Sequence, residues 1–167
     1  RYLCFLASDD LWLPDKLSRQ LDFMQKTGAA FSFTEYAMID AQGRTIKERV
    51  ASPARINYRG LLSGRPIMCS SVMLDQTQVG HVEMPVIRSG QDYATWALIL
   101  RDRVACARNV GAVLARYRKQ QQSLSANKLR ALRRTWRINR QILGVSWPVS
   151  AALIAVYAGR WLLKHYG

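Results

Sequence analysis

Two adjacent carboxylates, Asp9 and Asp10, follow closely on the apolar run Leu3-Cys4-Phe5-Leu6-Ala7. A short continuous run of that kind reads as a strand buried on both faces. In open α/β sheets ligands bind at the carboxyl ends of strands, so acids placed there face a site. Neighbouring aspartates suit a hard divalent cation, which takes oxygens from one or two carboxylates and completes its shell with substrate phosphates. A competing reading makes them caps of the helix that follows, because aspartate is a favoured N-cap residue. The other reactive residue types point to less. His81 and His165 are far apart and have only Glu83 near ligand spacing, so they read as surface or satisfied histidines. Cys4, Cys69 and Cys106 are odd in number and lack CxxC spacing, which excludes a disulfide framework or zinc site and favours a reducing compartment. Cys69, on an apolar stretch, reads as a small core residue.

The elements that must hold these residues alternate. After the first strand, Pro14 suits the opening turn of a helix carrying Leu13, Leu17, Leu21 and Met24, with Gly28 just past its end. Ala29 to Phe33 is the next strand, and Asp40-Ala41-Gln42-Gly43 turns a hairpin between the run ending at Ile39 and residues 44–47. Ile67 to Leu74 reads as a strand, Asp92 opens a helix with Tyr93, Trp96, Leu98 and Leu100, and Val113 to Tyr117 reads as a last strand. Strands alternating with helices indicate an α/β domain. The chain begins at Arg1 and enters a core strand at once, and a buried parallel strand needs neighbours on each side. The expectation is therefore a partial domain lacking its first strands.

The stretch Phe5-Leu6-Ala7-Ser8-Asp9-Asp10-Leu11-Trp12-Leu13-Pro14-Asp15-Lys16-Leu17 resembles the aspartate-motif region of bacterial family-2 glycosyltransferases, written F-L-D-S-D-D-x-W-x-P-x-K-L. Ser89-Gly90-Gln91-Asp92-Tyr93-Ala94-Thr95-Trp96 is similar to that family's Q-D-Y-x-x-W segment. Met68-Cys69-Ser70-Ser71-Val72-Met73 resembles its small-residue strand, and Tyr117-Arg118 with Ser123-Leu124-Ser125 its closing segment. The blocks occur in family order.

The resemblance implies residues 1–127 of a partial, Rossmann-like GT-A domain that transfers sugar from a nucleotide-diphosphate donor with inversion. Asp9 then meets a divalent cation (Mn or Mg) and the donor diphosphate, Asp10 supports it, and Asp92 is the base that deprotonates the acceptor hydroxyl. Gln91, Arg88, Trp96 and Ser70 become candidate substrate contacts, although Trp96 also reads as core packing and Arg88 as a solvated arginine. Ala7 stands where the first aspartate of the motif falls, and Gln91 where many relatives carry glutamate.

Charge divides the chain. Of 25 basic residues 13 follow Asp102, after which no acid occurs, whereas residues 1–102 hold 12 basic and 11 acidic side chains. Residues 128–167 read as a basic helical tail. At helical spacing Leu129, Leu132, Trp136 and Leu143 share a narrow face, and Arg130, Arg133, Arg134, Arg137 and Arg140 take the adjoining arc. The uncharged stretch from Gln141 to Gly159 approaches the roughly 20 residues of a span, but Gly144, Ser146, Pro148 and Ser150 interrupt it. A helical hairpin lying on an anionic membrane surface is the expectation, with Trp136, Trp147 and Trp161 at headgroup depth. The alternative is a helical pair packed back on the domain, its arginines solvated.

The location that follows is cytoplasmic, at the inner face of the cell membrane, with a glycan or lipid-linked acceptor. A net charge of +14 also raises nucleic acid as a partner. The basic residues crowd one end and carry no recognition motif, which argues against it. A catalytically inactive relative acting as a scaffold is the other reading left open by Ala7.

Overall fold

The computed structural model of the chain describes residues 1–119 and 128–166. Its centre is a mixed sheet of seven strands: β1 (Tyr2–Cys4), β2 (Leu11–Trp12), β3 (Phe31–Ile39), β4 (Thr45–Val50), β5 (Arg55–Ile56), β6 (Met73–Asp75) and β7 (Ala107–Arg118). The helices are α1 (Lys16–Thr27), the short α2 (Tyr58–Leu62) and α3 (Gln76–Val79), α4 (Gln91–Asp102), α5 (Lys128–Arg137) and α6 (Trp147–Tyr166). The long strands β3 and β7 run parallel, side by side. Every other pairing is antiparallel: β6 and β4 lie on the outer edge of β3, β2 and β5 on that of β7, and β1 on β6. The α/β class expected from the sequence is the class that forms.

Alternation along β3 explains the layers, since successive side chains point to opposite faces. Phe31 and Phe33 enter the main core with Trp96, Ala97 and Leu100 of α4. Ser32 faces the other way, where its hydroxyl accepts from Gln20 Nε2 of α1 at 3.0 Å. On that side Met24 packs with Ala29 and Met73. Trp96 is 1% exposed, edge-on to Phe5 and Phe31 at centroid distances of 5.1 and 5.4 Å. Gly28 ends α1 at φ 66°, a conformation that a Cβ disfavours.

Three expectations change. The run at residues 3–7 contributes to both layers, Leu3 and Phe5 to the α4 side and Cys4 to the α1 side, which accounts for its unbroken apolarity. Its strand, however, covers only Tyr2–Cys4 and is antiparallel to β6, where a parallel strand was expected. The predicted strand at Ile67 to Leu74 is a 3-10 turn, Cys69–Ser71, leading into β6. Ser71 causes this locally: its hydroxyl and its N–H both donate to the Met68 carbonyl, at 2.7 and 3.0 Å, which closes a turn where a ladder would run.

The third change lies in the tail. α5 widens into a π-helix, Ile138–Ile142, so the 100° periodicity that grouped Leu129, Leu132, Trp136 and Leu143 breaks there. Ile138 and Leu143 are buried in the same core as α4, Tyr93 Oη donates to Asn139 Oδ1 at 2.9 Å, and Arg101 donates to the Leu143 carbonyl at 3.0 Å. The tail thus packs on the α/β body through Ile138, Leu143 and Leu153. Gly144 at φ 64° ends the π-helix, and Pro148 lies in the first turn of α6, where its missing N–H costs nothing. No helix among the described residues is long and apolar enough to cross a membrane. The loop expected at Gln120-Gln121-Gln122-Ser123 and the closing Ser123-Leu124-Ser125 lie outside the described residues, as do the side chains of Arg130, Trp161 and His165.

Candidate active site

The chain leaves β1, turns through Ala7 to Asp10 with a 3.1 Å hydrogen bond from Asp10 N to the Ala7 carbonyl, and enters β2. Asp10 is 7% exposed and both its oxygens are engaged: Oδ2 accepts from Ser70 Oγ at 2.6 Å and Oδ1 from Arg118 N at 3.1 Å. The same Ser70 hydroxyl accepts from Ala7 N at 3.0 Å, and the Ser70 carbonyl accepts from Trp12 Nε1 at 2.7 Å. Arg118 adds its guanidinium, Nε donating to the Asp9 carbonyl at 2.9 Å and Nη1 to the carbonyls of Asp40 and Ala41 at 3.0 Å. The aspartate turn is therefore fastened to the 3-10 turn on one side and to the ends of β7 and the β3–β4 hairpin on the other.

This arrangement separates the two aspartates. Neither is the cap of α1, whose N-cap is Asp15. Asp10 is a structural acid, and burial raises its pKa, offset in part by the Ser70 and Arg118 hydrogen bonds. Ser70, a candidate substrate contact in the sequence, is fully buried and spent on the turn. Trp96 is core and likewise remote from solvent. Gln91 opens α4 and donates from Nε2 to the Ile87 carbonyl at 2.6 Å, stabilising the entry to that helix.

Asp92 lies in the first turn of α4, where the positive end of the helix dipole favours a carboxylate. Gly90 caps that helix at φ 85°, and a Cβ there would meet Ile138 Cδ1 at 2.7 Å and Arg134 Cδ at 3.2 Å. Glycine is thus required both by the backbone and by the approach of the tail. Cys69 connects the two halves of the site. Its thiol is pushed up to about 12 first by burial, then by the negative charges of Asp92 and Asp10. Asp10 and Asp92, far apart in sequence, thus both act electrostatically on one half-buried sulfur of the 3-10 turn. Such a thiol is inert, in keeping with its reading as a core residue.

The donor set fits a divalent cation only sparingly. Among the described residues no group of three His, Cys, Asp or Glu side chains assembles. Ala7 offers no oxygen beyond its backbone and both oxygens of Asp10 are engaged within the fold, so a cation here would draw on the half-buried Asp9. One carboxylate is enough for a cation that takes the rest of its shell from a diphosphate and water.

Sequence reasoning missed two supports. Arg118 stood in a matched block without a role, and only the sheet order brings it to Asp9. Lys16 is fully buried, its Nζ 2.8 Å from Gln20 Oε1 and 4.3 Å from the Trp12 ring centroid. Gln20 Nε2 in turn donates to the Ser71 carbonyl at 3.0 Å. A lysine one turn before a glutamine on an otherwise amphipathic helix was the available signal.

No protein-family model matches the chain. Among curated proteins it is similar to TuaG of Bacillus subtilis (strain 168), provisionally named a teichuronic acid biosynthesis glycosyltransferase, at 39% identity over 85% of this chain and 56% of TuaG. It is similar also to two Escherichia coli proteins, WfgD and WfaP, each named a UDP-Glc:alpha-D-GlcNAc-diphosphoundecaprenol beta-1,3-glucosyltransferase. Identity to WfgD is 35% over 81% of this chain and 53% of that protein; to WfaP it is 36% over 99% and 64%. The chain spans between half and two thirds of the length of these relatives.

Burial pushes the Lys16 ammonium down to about 8. The folded value lies below the unfolded one, so between about pH 8 and the ordinary lysine range near 10.4 the unfolded chain holds more protons and stability rises with pH. Relative to Lys16→Met, the wild-type unfolding free energy should climb across that window in denaturant titrations. Parallel pH profiles for the two proteins would show that the ammonium is not buried as described.

Proposed function

The chain belongs to a family of bacterial glycosyltransferases, and from that premise we propose that it carries the acid–base part of an inverting sugar transfer from a nucleotide-diphosphate donor to a lipid-linked glycan acceptor. The observation that supports this reading is Asp92 in the first turn of α4 together with the aspartate turn that Asp10, Ser70 and Arg118 fasten. A carboxylate at a helix N-terminus suits a general base, and a rigid turn bearing an acid suits a diphosphate.

In the proposed step Asp92 accepts the proton of the acceptor hydroxyl while that oxygen bonds to the anomeric carbon. The bond from that carbon to the diphosphate oxygen breaks, and the nucleotide diphosphate departs with the electron pair on the opposite face. Asp10, through Ser70 and Arg118, keeps the turn fixed so that Asp9 faces the diphosphate without reorganisation. Asp9 would hold a Mn or Mg ion, which when bound supplies charge neutralisation at the leaving group. The domain as a whole is read as part of a GT-A fold.

The basic tail bears on where the reaction takes place. α5 presents exposed Arg133, Arg137 and Arg140, and Trp147 stands 63% exposed, edge-on to Trp136 at 6.2 Å. Arginines beside an exposed tryptophan suit an anionic bilayer surface, where each cation near the headgroups contributes about 1 kcal/mol. We read the protein as peripheral, at the cytoplasmic face.

In the full-length protein Asp92→Asn should lower turnover by about a hundredfold or more with donor affinity unchanged, and Asp9→Ala should remove the response to added Mn or Mg. An equal loss of donor affinity in Asp92→Asn, measured by calorimetry, would make Asp92 a binding residue. Cation-stimulated turnover in Asp9→Ala would take the ion elsewhere.

The membrane reading predicts co-sedimentation with phosphatidylglycerol vesicles at low salt and release by high salt. Protein left in the supernatant at low salt would refute it.

A further inference from the structure

α5 and its π-helical extension do not close fully against the segment that leads into α4. Between them lies a cavity of about 650 Å³ whose walls include Arg88 and Ser89 on one side and Arg133, Arg134 and Arg137 on the other. Among the described residues none of these four guanidiniums makes an ion pair or a hydrogen bond. Four like charges gathered in one concavity repel one another, and no acid of the fold lines it. Beyond hydration of these guanidiniums, an anion from outside is the counter-charge that relieves the repulsion. Guanidinium forks match phosphate oxygens two at a time, which makes a phosphate-bearing ligand the natural counter-charge.

Position and shape narrow the ligand. Ser89 is three residues before Asp92, and the cavity wall at Arg134 and Ile138 touches Gly90, the cap of the helix that carries Asp92. A second hollow of about 430 Å³ shares Arg133, Arg137 and Gln141 with the first and continues to Leu132, Trp136 and Ile154, between α5 and α6. A charged chamber next to the segment leading into α4 thus adjoins an apolar groove through shared walls. An ordinary nucleotide has no use for such a groove, whereas a lipid diphosphate needs both parts.

We propose that this pair of hollows binds the acceptor: the arginine chamber takes the diphosphate of an isoprenoid-type lipid carrier, and the groove along Leu132, Trp136 and Ile154 takes the start of its hydrocarbon chain. The inference rests on the transferase reading for the word acceptor, and on the geometry alone for the lipid diphosphate. It gives the tail a role distinct from adhesion to the bilayer, because the same arginines then hold the sugar-bearing end of the carrier within reach of Asp92.

The test is binding of farnesyl diphosphate to the full-length protein by calorimetry, without vesicles, against inorganic pyrophosphate and uridine diphosphate. Arg133 and Arg137 are exposed, so Arg133→Gln/Arg137→Gln should fold normally, which its melting temperature checks. The expected result is a tenfold or greater weakening for farnesyl diphosphate with uridine diphosphate unaffected, and weaker binding of pyrophosphate than of the lipid. Replacing Trp136 by alanine should weaken the lipid and leave pyrophosphate alone. Unchanged farnesyl diphosphate affinity in the arginine variant overturns the proposal. So does an equal loss for uridine diphosphate, which would assign the chamber to the donor. Arginine-dependent lipid binding in a wild-type protein that transfers no sugar would defeat the transferase reading while leaving the lipid diphosphate site in place.

Discussion

A buried carboxylate with both oxygens engaged organises this molecule. Asp10 is removed from water, a costly position for an acid unless its lone pairs are matched, and it is matched from two directions by Ser70 and by the backbone of Arg118. Those partners come from the 3-10 turn and from the end of β7, so one side chain joins the edge of the sheet to its centre. Asp9 inherits its place from this clamp. It stands one residue along from a fixed acid, with its carbonyl held by Arg118.

Around that clamp the layers act in concert. The parallel pair β3–β7 carries Arg118 to the turn, and α4, packed on Phe31 and Phe33 through Trp96, carries Asp92 in its first turn. Beneath the turn a second polar chain, Lys16 to Gln20 to the Ser71 carbonyl, supports the 3-10 segment from the α1 side. The tail closes the remaining flank by burying Ile138 and Leu143 in the α4 core. Its Arg133, Arg134 and Arg137 line a hollow together with Arg88 and Ser89, just before α4.

Much of this was legible in the residues. The Gly28 stop, the Asp40–Gly43 hairpin and the helix that carries Asp92 in its first turn all follow from local periodicity and turn chemistry, and the structure keeps them. The ordered motif blocks carried the family. What local patterns could not carry was pairing: whether Leu3 sits in a parallel or antiparallel strand depends on β6, far along the chain. Ser70 looked like a free hydroxyl because nothing nearby in sequence predicts Asp10 as its partner. The packing of the tail was hidden for a related reason, since the π-helical turn at Ile138–Ile142 shifts the later side chains and helps bury Leu143 in the α4 core.

The central claim is that Asp10 and Ser70 act as one unit in holding the aspartate turn, and a double-mutant cycle measures it directly. Asp10→Ala, Ser70→Ala and the double variant would be compared with wild type by denaturant unfolding. Each single change strands a buried polar partner, so each should destabilise by about 1–3 kcal/mol. The double variant should then lose less than their sum, with a coupling energy of about 0.5–3 kcal/mol as expected of residues in one hydrogen-bond network. Strict additivity of the two losses would contradict the clamp and leave the position of Asp9 without its explanation.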